Sequence, residues 1–415
     1  MFKKNNFKNR GSKPSYSGGS KFGGNRNSSF GNRSGGNNRR SNPYNTENLK
    51  HDMYISKAEP VQTTHDDIYD VNITFFDLGL HPRILRNITS RNYKNPTKIQ
   101  SQTIPSILDK KDLLGLASTG SGKTGAFLIP VLSLLMSDTT KRCLIIAPTR
   151  ELVNQIQGEY QIFAEGTSVR DALVVGGAAY APQLRLLSRN PQLVIATPGR
   201  LIDHYKSKKI NFSDFDIIVL DEVDQMLDMG FINDIKLIIS NLKDTRQSLF
   251  FSATMSSKIR DVASNLLRNP VSVEIAKQSA AKNVEQNIVK INNSKGKLET
   301  LHELLAGLEF DKVLVFAKTK RGADDLALAL QNKGHKADAL HGDKSLGQRM
   351  RILSSFKKSE IEILIATDVA SRGIDVPNIS HVINYDEPAT YADYIHRIGR
   401  TGRIGKKGVA LTFVK

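Results

Sequence analysis

The sequence predicts an α/β protein of two tandem domains, each a parallel β-sheet covered by helices, preceded by a disordered basic arm. Three observations lead there. Short apolar runs alternate with helix-like stretches from about residue 75 onward, and the polar stretch 276–286 divides them into two series. The first fifty residues lack the composition of a core. The domains are expected at 51–275 and 287–415, with 276–286 as the linker.

The arm comes first. Residues 1–48 contain no Ala, Val, Leu or Ile, so they cannot bury enough apolar surface to offset the entropy of ordering. Residues 1–50 hold eleven Lys or Arg and a single acid, Glu47, which puts +10 of the chain's +18 net charge in the arm. Phe2, Phe7, Tyr16, Phe22, Phe30 and Tyr44 are spaced among these cations. That pattern suits stacking on unpaired bases together with phosphate attraction, and a solubilising spacer is the other reading such a composition leaves open. No amphipathic face for a membrane surface can be drawn through so much Gly and Asn. No apolar run reaches the roughly 18 residues of a membrane span, and the N-terminus lacks the apolar stretch of a secretory signal. Cys143 stands alone, so no intramolecular disulfide forms, and the histidines lack metal-ligand spacing. A cytoplasmic, monomeric protein is expected.

The first series of buried strands is read at DLLGLA (112–117), CLIIAPTRE (143–151), LVIATPGR (193–200), DIIVLDE (216–222) and SLFFSAT (248–254). The second is read at VLVFAKT (313–319), ILIATD (363–368), HVINYD (381–386) and VALTFV (409–414). Nearly every polar cluster follows the carboxyl end of one of these runs, the edge at which open parallel sheets bind ligands. Cys143, inside such a run, reads as a small core residue.

Two of these clusters carry phosphate chemistry. Ala117-Ser118-Thr119-Gly120-Ser121-Gly122-Lys123-Thr124 follows a strand and opens a helix, the context of a phosphate-binding loop. Its glycines let backbone N–H groups approach phosphate oxygens, and the helix N-terminus adds positive potential. Lys123 is expected at the β/γ-phosphates and the Thr124 hydroxyl on Mg²⁺. A purely structural Gly-rich turn is the alternative. Asp221-Glu222-Val223-Asp224 caps the run DIIVL. Asp221 is expected as a second Mg²⁺ contact, and Glu222 to orient or deprotonate an attacking water; by itself such a cluster is often only a helix cap. Together the two clusters describe an ATP- or GTP-hydrolysing site.

The remaining constellation resembles the DEAD-box RNA helicases of superfamily 2, most nearly their bacterial RhlE-like branch, over the chain from Phe75 to its end. The resemblance implies two RecA-like domains. It implies a Q motif at 74–102, built on Phe75, Asn92-Tyr93 and Pro96-Thr97-Lys98-Ile99-Gln100. There Phe75 would stack on adenine and Gln100 would bond its edge, with a donor and an acceptor. Phe75 as a core aromatic and Gln100 as a surface residue is the structural alternative. Pro148, Thr149, Arg150, Gly177, Thr197, Gly199 and Arg200 resemble the family's first-domain contacts to RNA phosphates and 2′-hydroxyls. Arg349 and Thr367 are the second-domain counterparts. Asp224, Ser252, Thr254 and His396 resemble the residues coupling hydrolysis to domain closure, and Gly373 and Asp375 the second-domain nucleotide contacts. His396 to Arg403 resembles the arginine-finger motif. Arg400 and Arg403, spaced i, i+3, can point to one side of a turn and stabilise transition-state charge from across the cleft.

The resemblance implies an enzyme that couples RNA-stimulated ATP hydrolysis to local unwinding of short duplexes or remodelling of RNA–protein complexes, with ATP and Mg²⁺ as cofactors. RNA would be held through sequence-independent backbone contacts; ribosomal precursors and RNA-decay complexes are the expected settings. A non-catalytic ATP-gated RNA clamp and a superfamily-2 DNA translocase are the competing readings. Three departures stand out. Val223 replaces the family's Ala, with activity expected to survive. Asn92 replaces a Gly and tolerates a left-handed backbone. Leu346 replaces a Gln three residues before Arg349, which weakens the expected RNA grip there. The chain ends at Lys415, directly after VALTFV, where family members usually continue with a covering helix.

Overall fold

A computed structural model describes residues 51–58, 68–118, 120–275, 283–291, 296–307, 309–371, 376, 378–402 and 407–414. The basic arm lies outside the described residues, as do Thr119, Gly373, Asp375 and Arg403 of the expected site.

The first domain is built on seven parallel strands. They are β1 (Leu113–Leu116), β2 (Cys143–Ile146), β3 (Asp171–Val174), β4 (Leu193–Ala196), β5 (Ile217–Leu220), β6 (Gln247–Ser252) and β7 (Val271–Glu274). Their order across the sheet is β3-β4-β2-β5-β6-β1-β7. Every residue of β2, β4, β5 and β6 is buried, because helices cover both faces of the sheet, and such strands read as continuous apolar runs. Alternate residues feed opposite layers. Ile145, Val219 and Phe251 join one core with Phe127, while Leu144, Ile218 and Phe250 join the other with Met226. Cys143 is fully buried in the first core, and burial pushes its thiol pKa up.

The second sheet has six parallel strands: β8 (Val284–Lys290), β9 (Val313–Phe316), β10 (Ala337–Leu340), β11 (Ile363–Ala366), β12 (His381–Asn384) and β13 (Gly408–Val414). Their order is β10-β11-β9-β12-β13-β8. Val315 and Ile365 pack on one side, Leu314 and Leu364 on the other.

Two boundaries differ from the sequence reading. Val284, Glu285 and Gln286, expected in the linker, begin β8 and pair with Gly408, Val409 and Ala410 of β13. As an edge strand, β8 starts with buried and exposed residues alternating, so it shows no apolar run. The short 3₁₀ helix His51–Tyr54, expected in the first domain, packs on the second: Tyr54 is fully buried with Val284, Tyr394 and Ile398. Asn92 takes the left-handed backbone expected of it, at φ 61°. Among the described residues no helix is long and apolar enough to cross a membrane.

Asp112 locks the far edge of the first sheet. Its carboxylate accepts from the Ser248 N–H at 2.7 Å and from the Arg268 N–H at 2.8 Å, tying β1 to β6 and to the turn before β7. Asp112→Ala should cost roughly 2–4 kcal/mol, because two charge-assisted bonds are lost, one of them at the buried Ser248 amide. Denaturant unfolding measures this, and a loss below about 1 kcal/mol would show that water replaces the carboxylate.

Candidate functional site

Because β5, β6 and β1 are neighbours, the segments that follow them meet at one carboxyl edge. Lys123 opens the helix Lys123–Ser137 and is 6% exposed. Its Nζ has no hydrogen-bond partner among the described residues. Gly120 and Gly122 hold φ of 87° and 93°, a conformation that turns the loop tightly. At Gly122 a Cβ would stand 2.7 Å from Thr97 Oγ1, so the loop also needs the missing side chain. Ser121 Oγ donates to the Ser118 carbonyl at 2.8 Å and braces the same turn.

Asp221 and Glu222 are 2% and 4% exposed. The Glu222 N–H donates to Asp221 Oδ1 at 2.9 Å. Glu222 sits at φ 52°, a left-handed conformation costing a non-glycine residue roughly 1–3 kcal/mol. Burial lifts its carboxyl to about 7, opposed chiefly by the Lys123 ammonium; Asp221 adds to the rise and Arg400 of the second domain counters it. Burial also raises Asp221, with Lys123 again opposing. Asp224 reaches sideways to β6: its Oδ2 accepts from Ala253 N at 3.1 Å and Thr254 Oγ1 at 3.2 Å, while Ser252 Oγ donates to the Thr254 carbonyl at 2.9 Å. The three expected coupling residues of the first domain therefore form one bonded unit. Val223 is fully buried in the core cluster beneath, so its extra methyls are housed in the core.

A cleft of about 270 Å³ runs from Lys123, Thr124, Asp221 and Glu222 to Phe75 and Gln100. Phe75 is at once a core aromatic, 2% exposed, and a wall of this cleft. Gln100 Oε1 accepts from Thr97 N at 2.9 Å, and Nε2 donates to the Gly122 carbonyl at 3.1 Å. One N–H and one lone pair of that amide stay available. Tyr69, bridged to Thr97, also lines the cleft, and the sequence reading missed it. A larger hollow of about 630 Å³ among Arg142, Lys206, Lys208 and Lys209 lies by the opposite sheet edge and contains none of these groups.

The remaining strands β2, β4 and β3 extend the same edge with a different chemistry. Thr149 Oγ1 caps the helix Arg150–Phe163 by accepting from Leu152 N at 3.2 Å, behind the buried Pro148. The Arg150 guanidinium lies across Gly177, whose φ is 74°; a Cβ there would collide with it. Thr197 Oγ1 accepts from Gly176 N at 3.3 Å, and Arg200 donates to the Ala178 carbonyl at 3.0 Å. At Gly199 a Cβ would meet nothing within 4 Å, so the backbone there is open to a ligand. Burial, then the neighbouring Arg349 and Arg200, push the Arg150 pKa down, opposed by Glu151. Clustered cations over open backbone suit a polyanion.

In the second domain Thr367 follows β11 at the start of the helix Asp368–Ser371. Arg349, expected on RNA, is instead engaged by the first domain. Its Nε bonds Glu151 Oε1 at 2.5 Å, and the two side chains are only 8% and 5% exposed. One turn earlier, Leu346 packs against the first-domain core, a contact that its apolar character fits. The helix Tyr391–Ile398 carries the half-buried His396 and ends before Arg400, so a turn rather than a helical face places that arginine. Arg400 is 6% exposed. Arg397, quoted within its motif but given no role, grips both Asp368 oxygens at 2.6 and 2.8 Å and the Asp386 carbonyl at 2.6 Å.

Residues 97–262 match the DEAD/DEAH box helicase family, and residues 296–405 match the helicase conserved C-terminal domain. The ATP-dependent RNA helicase CshA of Listeria monocytogenes is 41% identical over 82% of this chain and 66% of its own length. RhpA of Helicobacter pylori, a DEAD-box ATP-dependent RNA helicase, is 41% identical over 86% of this chain and 72% of its own. The chain thus spans about two thirds of the length of these relatives. Among solved structures, S. cerevisiae Dbp5 bound to RNA and ADP BeF3 matches with a TM-score of 0.72 and 32% identity, over 82% of this chain and 89% of that one. A doubly truncated Mss116p bound to ssRNA and AMP-PNP matches with a TM-score of 0.73 and 29% identity, over 86% and 77%.

Arg349→Ala would strand the Glu151 carboxylate in the interface between the sheets, at a cost of roughly 3–5 kcal/mol for a broken buried pair. The domains should part in response. Small-angle scattering should show a larger radius of gyration for the variant; an equal radius would mean that the pair does not hold the domains together.

Proposed function

The chain belongs to the DEAD-box helicase family, and on that premise we propose that it couples RNA-stimulated ATP hydrolysis to local strand separation or RNA–protein remodelling. The observation that carries this reading is the meeting of buried Lys123, Asp221 and Glu222 with Arg400 of the other domain. A hydrolytic site shared by two domains is complete only when they close, and RNA spanning both favours closure. By linkage, RNA then promotes hydrolysis and ATP tightens RNA.

The residues divide the work. Phe75 and Gln100 would hold adenine, with Gln100 also fixing the phosphate loop through Gly122. The loop amides of Gly120, Ser121 and Gly122, with the Lys123 ammonium, would bind the phosphates. A buried ammonium beside acids that burial has lifted fits a polyphosphate carrying a divalent cation. Thr124 and Asp221 would hold that Mg²⁺, and among the described residues no cluster of three His, Cys, Asp or Glu could hold a metal alone. Bound there, the ion would supply positive charge to offset that of the phosphates. Glu222 takes the proton of the attacking water, and Arg400, with Arg403, Gly373 and Asp375 beyond the described residues, serves the nucleotide from the second domain. Asp224, Ser252, Thr254 and His396 would pass the state of the phosphates to the interface. Pro148, Thr149, Arg150, Gly177, Thr197, Gly199, Arg200 and Thr367 would grip an RNA backbone. Arg349 would act on RNA only through the Glu151 contact. The RhlE-like branch and work on ribosomal precursors or decay complexes rest on the sequence resemblance, and a monomeric cytoplasmic state on the expectation from the sequence.

The deciding measurement is phosphate release from Mg-ATP without nucleic acid, with RNA and with single-stranded DNA. RNA alone should stimulate it, and Glu222→Gln should abolish it while retaining RNA in the presence of ATP. Equal stimulation by DNA would favour a DNA translocase, and no release at saturating RNA a non-catalytic clamp.

The raised Glu222 carboxyl sets a pH dependence. Only the ionised form accepts a proton, so kcat/KM, which reports the free enzyme, should fall about tenfold per pH unit below about 7 and flatten above it. A pH–rate profile with its acid limb near the ordinary carboxylate value would remove Glu222 as the base.

A further inference from the structure

Tyr54 precedes the first domain in sequence, yet its ring lies in the second. It is fully buried, with its centroid 4.8 Å from the ring of Tyr394 and with Val284, Ile398, Ala410 and Val414 completing the cluster. Two residues on, Ser56 forms an antiparallel bridge to the edge strand β8. Ser56 N donates to the Gln286 carbonyl at 3.0 Å, and Gln286 N donates to the Ser56 carbonyl at 2.8 Å. Tyr394 Oη closes the unit by donating to Gln286 Oε1 at 2.9 Å.

The helix so clasped is the one that delivers Arg400. Arg397 anchors its polar side on Asp368 and Asp386. Its apolar side, Tyr394 and Ile398, rests on Tyr54. Gly399 caps the helix at once, and Arg400 follows. The orientation of that arginine is therefore set from two sides, and one of them is a segment that belongs to neither sheet. Further along the same stretch, Ile68 and Tyr69 line the nucleotide cleft of the first domain.

We propose that His51–Ser56 is a strap in which Tyr54 acts as a positioning residue, holding the helix Tyr391–Ile398 so that Arg400 reaches the site of phosphate cleavage. This rests on the hydrolytic reading of Arg400 given above. The simpler role, covering an exposed strand edge, leaves the stability of the second domain sensitive to Tyr54 but not its chemistry.

Steady-state, RNA-stimulated ATPase of the full chain separates these roles. Tyr54→Ala should lower kcat about tenfold, within the range that an arginine finger controls, and leave the KM for ATP within about twofold, since the adenine contacts and the phosphate loop lie in the first domain. Tyr54→Phe should restore the parent rate, because Tyr54 Oη has no hydrogen-bond partner among the described residues. Ser56→Pro, at an exposed position, removes one bridge donor and should lower kcat in the same way without touching a core; it decides the matter should Tyr54→Ala fail to fold. In an Arg400→Lys background, Tyr54→Ala should cause little further loss. Parent kcat in both Tyr54→Ala and Ser56→Pro, or losses that simply multiply with Arg400→Lys, would overturn the proposal. Parent activity in Arg400→Lys would overturn the reading of Arg400 and the strap with it, whereas impaired Arg400→Lys beside an intact Tyr54→Ala would remove the strap alone.

Discussion

Keeping a lysine ammonium out of water is the constraint on which the cleft depends. Lys123 is placed by the start of its helix, too deep for solvation, next to two acids that burial has already lifted. Such a group of charges is expensive unless each is compensated. On the proposed reading, a polyphosphate with its divalent cation would supply anionic oxygens for Lys123 and a positive centre for Asp221. The strained left-handed backbone of Glu222 belongs to the same account. Strain at a charged, buried position persists only where the surrounding fold imposes it, and here the sharp exit from β5 does so.

Strand order then divides the labour along the first sheet. The neighbours β1, β6 and β5 present the phosphate loop, the Ser252–Thr254 turn and the acids, while β2, β4 and β3 present arginines and open glycine backbone. The hydrogen bonds from Ala253 and Thr254 to Asp224 cross between strands inside the first group. These bonds link the acids to the β6 turn without passing through the core.

The second domain meets this edge with paired charges. Arg349 and Glu151 neutralise each other between the sheets, with Leu346 providing the apolar contact beside them. Arg400 supplies a cation toward Glu222, and its helix is held by Arg397 on one side and Tyr54 on the other. A buried ion pair such as Arg349–Glu151 sets the register of the two domains at this contact.

Much of this was legible in the chain. Fully buried strands such as β2 and β5 announce themselves as continuous apolar runs, and the phosphate loop, the acids and Arg400 lie in short motifs whose residue types follow from local chemistry. The edge strand β8 was hidden, because a strand covered on one side alternates polar with apolar residues and its first turn resembles a linker. Asn92 was foreseen as compatible with a left-handed backbone from its residue type. Arg349 kept its place but changed its partner: nothing near it in sequence shows that Glu151 stands opposite. The same holds for Tyr54 against Tyr394. Sequence alone determined which residues could do the chemistry, since that depends on side-chain type and local turn. Which of them meet, and which domain a segment serves, was decided only by the tertiary structure, because contacts between residues hundreds of positions apart leave no periodic or compositional trace.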